Sequence, residues 1–116
     1  MCKWVPACAM PEVREVSQQA LLVQIVVAQA TGVPLAALYG AARGSVRESF
    51  ARQMAMYLCR LVFAMTLGDI AFAFQRDRST AAHAIRRIEE AREHPEFDRR
   101  LNFVEAALRR NGGLHG

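Results

Sequence analysis

The chain has 116 residues, 53% of them hydrophobic and 22% charged, with a formal net charge of +4. That length holds one domain with a single modest core and excludes a catalytic domain paired with an accessory one, while the hydrophobic share excludes a chain that stays unfolded. Three cysteines (Cys2, Cys8, Cys59) at unrelated spacings exclude a disulfide framework or a zinc pattern, so a reducing cytoplasm is the expected setting.

Residues 1–10 read as a flexible leader, with one lysine and no sustained apolar run of the kind a secretory signal carries. A single domain is expected over 11–112, followed by a short tail over 113–116. Pro11 suits a first helical position, and Glu12 and Glu15 complement a helix N-terminus. This predicts a helix to about Thr31, with Gly32 just past its end. Beyond Ala20 the helix is apolar on nearly all sides, but Gln24 and Gln29 interrupt the run well short of the ~18 residues of a membrane span. Deep packing is its expected fate, and the same surface offers a homodimer contact.

"VPLAALYG" (Val33–Gly40) predicts a short helix begun by Pro34 and stopped by Gly40, and "AARGS" a connector. A second long helix is expected from about Ser45 to Thr66, with Val46, Phe50, Met54, Tyr57, Leu58, Leu61 and Met65 recurring every third or fourth position. "TLGD" (Thr66–Asp69) has the form of a capping box and opens a short helix, Leu67 to about Phe74. Phe72 and Phe74 cannot share one face of it, so they are expected to pack on different neighbours. After "QRD" a helix should run over 79–93, and past Pro95 a final amphipathic helix should end at Asn111-Gly112-Gly113. No strand signal and no repeat occurs, which predicts an all-α, compact bundle of about six helices.

The charge is concentrated. Residues 43–87 hold eight arginines against Glu48, Asp69 and Asp77, whereas the flanking segments are close to neutral. Such a cluster is the footprint of a polyanion, and arginine's planar fork suits phosphate and guanine edges. Within it, the short helix, the tight turn and the helix after it have the form of a helix-turn-helix. On a helical wheel Ala81, Ala84, Ile85 and Ile88 face inward, while Ser79, His83, Arg86 and Arg87 face outward as a helix entering a DNA groove requires. The free amides and dipole of its first turn also suit a phosphate.

"ARQMAMYLCRLVFAMTLGDIAFAFQRDRSTAAHAIRRIEEAR" (Ala51–Arg92) resembles the C-terminal helix-turn-helix domain, domain IV, of the bacterial replication initiator DnaA. That family reads R-Q-[MI]-A-M-Y-L, a Ser-Leu-x-x-Ile-Gly helix start, then Gly-Gly-Arg-Asp-His-Thr-Thr leading to H-A-x-R-K-I-E. "IVVAQATGVPLAAL" (Ile25–Leu38) is similar to the helices before it. The resemblance implies a Trp-repressor-like helical fold that binds double-stranded DNA in the nucleoid. It implies that Asp77, Arg78, Ser79 and Thr80, with His83 on the same face, read bases in the major groove. It further implies that Arg60 and Gln53 contact phosphates, joined by the clustered Arg76, Arg86 and Arg87, and that Arg43 or else Arg47 enters the minor groove.

The chain departs from the family at the turn. Gly-Gly is shortened to Gln75, the histidine is Arg78 and the first threonine is Ser79. Arginine there favours guanine, and one bidentate base contact carries ~1–3 kcal/mol, enough to shift the preferred site. No Gly-rich P-loop ending in Gly-Lys-Ser/Thr occurs, and no catalytic triad, metal cluster or cofactor motif, so neither an enzyme nor a nucleotide binder is expected. The expected function is sequence-specific DNA binding by occupancy, first as a transcriptional regulator and second as a modulator of replication initiation at DnaA-box-like sites. A rival of another class is a protein-interaction module with a vestigial DNA face.

Overall fold

The structure, a computed structural model, describes residues 11–39 and 44–112; the expected leader, the helix stop Gly40, the start of the connector with Arg43, and the tail lie outside the described residues. Among the described residues five α-helices follow in order: α1 (Pro11–Thr31), α2 (Val46–Phe63), α3 (Leu67–Phe74), α4 (Arg78–Ala91) and α5 (Pro95–Gly112). The short helix expected over Val33–Gly40 is instead a single 3-10 turn, Leu35–Leu38. Pro34 and Tyr39 are both extended, and the Ala37 amide donates to the Pro34 carbonyl at 2.9 Å, the three-residue bond of a 3-10 turn.

The ends of these helices follow local chemistry. Gly32 closes α1 at φ +76°, a conformation that favours glycine, and its N–H donates to the Ala28 carbonyl at 2.9 Å. Ser45 Oγ accepts from the Glu48 amide at 3.1 Å while Glu48 Oε1 accepts from the Ser45 amide at 3.0 Å, a complete capping box at the start of α2. Thr66 and Asp69 form the second box, expected from "TLGD". α2 stops at Phe63, three residues before the expected Thr66, because Ala64 turns left-handed at φ 54°. A non-glycine residue in that region costs roughly 1–2 kcal/mol, so Ala64→Gly is expected to raise stability by about 1 kcal/mol in urea unfolding.

α2 is the central strut. Ala51, Met54, Ala55, Leu58 and Cys59 are buried along it, against Val23 and Val27 of α1, Ile70 and Phe74 of α3, Ala84 and Ile88 of α4, and Leu101 and Leu108 of α5. Burial pushes the Cys59 thiol up, out of the range of thiolate chemistry. Not every residue of that apolar repeat is interior: Val46 and Leu61 are exposed, and Phe50 is half-buried against the core. On α1, Leu21 and Ile25 face outward, so that helix is packed on one side only. A buckle fixes α5 to the rest: Arg92 ion-pairs with Asp98, bonds Asn102, and donates to the Tyr57 hydroxyl at 2.9 Å.

Candidate nucleic-acid interface

α3, its turn and α4 form the expected helix-turn-helix. The reversal needs one left-handed residue, Gln75 (φ 57°, ψ 45°). Its amide donates to the Phe72 carbonyl and that of Arg76 to the Ala71 carbonyl at 2.9 Å, the paired bonds of a Schellman end. Two glycines are therefore dispensable for the turn geometry.

Asp77 then caps α4, which starts at Arg78 rather than Ser79. Its Oδ1 accepts from the Thr80 amide at 2.8 Å and from Ser79 Oγ at 2.9 Å. These bonds, the Thr80 amide first, hold its carboxyl below the usual carboxylate range. The cap engages the Thr80 amide, so that N–H is not among the free amides expected of this first turn. A depressed pKa stabilises the fold above the ordinary carboxylate value, and the gain disappears as pH falls through the lowered one. Asp77→Ala is thus expected to lower the melting temperature at neutral pH by an amount that shrinks as pH falls below the ordinary carboxylate value, as a melting series against pH would record.

The remaining expected contacts separate into groups. Arg78, Ser79, Thr80, His83, Arg86 and Arg87 are all exposed, while Ala81, Ala84 and Ile88 anchor the opposite face and Ile85 is half-buried. Arg60 and Arg86 meet at a groove of about 420 Å³ that Tyr57, Leu67, Ile85 and Glu89 also line. Arg60 Nη1 donates to the Met65 carbonyl at 2.9 Å, which steadies the guanidinium at the α2–α3 corner. Arg76 and Gln53 are half-buried. Arg87 departs from its sequence neighbour, its Cζ lying 6.0 Å from the Phe50 ring centroid. Arg47 donates to the Thr31 carbonyl at the end of α1, and Arg43 lies outside the described residues.

Two participants escaped sequence reasoning. A methyl group on Gly68 would meet Arg78 Nη2 at 3.3 Å and Nε at 3.4 Å, so the Arg78 guanidinium rests over the start of α3 where only glycine leaves full room. The clue was a glycine in the first turn of a doubly capped helix. Arg52 is buried and donates to the Ala37 carbonyl at 2.8 Å, tying the α1–α2 connection to α2. Burial, then the nearby Arg76, draw its pKa down, with Glu48 opposing. Its type and position in the "RQM" motif gave no sign of an interior role.

Residues 21–88 match the family described as bacterial dnaA protein helix-turn-helix. The chromosomal replication initiator protein DnaA of Aquifex aeolicus (strain VF5) is 46% identical over 61 residues, a stretch that covers 51% of this chain and 15% of that protein. A crystal structure of a DNA replication initiation factor superposes with a TM-score of 0.75 at 33% identity, covering 84% of this chain and 30% of that one. A replication initiator DnaA bound to AMPPCP and single-stranded DNA does so with a TM-score of 0.69, at the same identity and coverage. The chain thus spans less than a third of the length of these relatives. Among the described residues no helix is long and apolar enough to cross a membrane, and no group of three or more His, Cys, Asp or Glu is placed to hold a metal ion.

Proposed function

Since this chain belongs to the bacterial DnaA helix-turn-helix family, we propose that it binds double-stranded DNA sequence-specifically and acts by occupancy as a transcriptional regulator. The observation that carries this reading is the outward rim of α4's first turn. Arg78, Ser79, Thr80 and His83 are exposed together on a helix whose other side is fixed through Ala81, Ala84 and Ile88. Arg78 and Ser79 would choose bases, with Thr80 and His83 beside them and Asp77 contributing from its cap. Arg60, Arg76, Arg86 and Gln53 would grip phosphates on either side of the reading turn, with Arg87 at the edge of that surface. Minor-groove entry would fall to Arg43, or to Arg47 after release from Thr31. What these residues contribute is occupancy, because they hold no nucleotide-binding motif.

A second reading, modulation of replication initiation, draws support from the 46% identity over 61 residues with a chromosomal replication initiator. Sites shared with a full-length DnaA would be masked by this domain.

Selection from a random duplex library at ~50 mM salt, followed by titration to ~200 mM, tests the proposal and separates it from a protein-interaction module. Phosphate contacts by Arg60, Arg76, Arg86 and Arg87 predict a log–log salt slope of roughly −3 to −4 and an enriched motif. Motifs near promoters support the regulator, and motifs matching DnaA boxes support the second reading. No duplex binding at low salt would remove both.

A further inference from the structure

A second cationic surface lies where the C-terminal end of α1 meets the opening turns of α2 and α5. The cleft there has a volume of about 350 Å³, with a floor of Phe50, Met54, Phe97 and Val104 and a rim that includes Arg47 and Arg100. That size suits a small molecule. The Phe50 and Phe97 rings meet at 5.4 Å and 57°, a fixed aromatic wall, and buried Met54 and Val104 close the bottom.

The electrostatics of the cleft favour one sign. None of its described lining residues carries a carboxylate. Of the acids in the neighbouring first turns, Glu48 bonds the Ser45 amide, Asp98 pairs with Arg92, and Glu96 does not line the cleft. The opening turns of α2 and α5 bring the positive ends of two helix dipoles, and Arg47 answers the negative end of α1 by bonding the Thr31 carbonyl. Arg100 makes no ion pair or hydrogen bond among the described residues, and Arg87 adds a third cation above Phe50.

An apolar floor under a rim whose charges are all positive fits a ligand with a flat apolar body and a single anionic group. We propose that this cleft is a binding site for a small hydrophobic carboxylate, its ring against Phe50 and Phe97 and its carboxylate between Arg100 and Arg47. Phe50, Phe97 and Arg100 play no part in the DNA-binding reading, whereas Arg47 and Arg87 belong to both surfaces.

Titrating the isotope-labelled full chain with 2-naphthoate and with neutral 2-naphthamide, followed by amide NMR shifts, tests it. Naphthoate should saturate shifts at Phe50, Phe97 and Arg100 and bind roughly tenfold tighter than naphthamide, as one charge-assisted contact allows. Arg100→Gln, at an exposed position, should abolish most of that preference without moving the melting temperature, and Phe50→Leu should weaken both ligands. Absence of saturation by ~5 mM, equal binding of acid and amide, or a preference that survives Arg100→Gln combined with Arg47→Gln would overturn the assignment. So would displacement of naphthoate by equimolar inorganic phosphate, which would mark a general anion site.

Discussion

Replacing Arg60 and Arg78 together with alanine is expected to weaken duplex binding by roughly two to three orders of magnitude at ~50 mM salt. The two residues act by different routes. Arg78 opens α4 with its guanidinium over Gly68, placed to swing to a guanine edge; losing such a contact costs ~1–3 kcal/mol and relaxes the preference at one base pair. With Arg60 in the proposed phosphate role, Arg60→Ala alone should weaken all duplexes alike and make the salt slope shallower by about 1. Both side chains are exposed, so the double variant should keep its helical circular dichroism. Unaltered binding would show that the reading turn is elsewhere.

Phe74→Ala is expected to cost ~3–5 kcal/mol in urea unfolding, a large part of the ~5–15 kcal/mol that a domain holds. Phe74 is fully buried as the last residue of α3, immediately before the left-handed Gln75. Its ring fixes where α3 ends against the core and therefore the direction in which α4 departs. Phe72, two residues earlier, is 60% exposed, and Phe72→Ala should stay within about 0.5 kcal/mol. Two equal losses would mean that both rings are interior, as the sequence alone had suggested.

That pair illustrates what the sequence makes legible. Helix ends are written in short-range chemistry, so Gly32, Ser45, Thr66-Asp69 and the 75–78 turn were readable within a few residues. The inward face of α4 was readable for the same reason, since Ala81, Ala84 and Ile88 repeat with the helical period. Ala64 was not, because an alanine gives no hint that it will turn left-handed. The destinations of long side chains were not legible either. Arg86 and Arg87 are adjacent in sequence and similar in type, yet one lines a groove with Arg60 and the other covers Phe50. Arg47 closes α1 rather than standing free, and buried Arg52 looked like any surface cation. Those outcomes depend on which helix packs alongside, and that is information no local pattern carries.

The proposed contact between α4's first turn and the major groove is tested by dimethyl sulfate probing of guanine N7 on the selected duplex. If this turn reads the groove as proposed, a short block of guanines should be protected, with protection at one of them lost in Arg78→Ala and the others retained. Uniform N7 reactivity along a duplex that is nevertheless bound, or protection indifferent to Arg78, would contradict the assignment of this turn as the reading element.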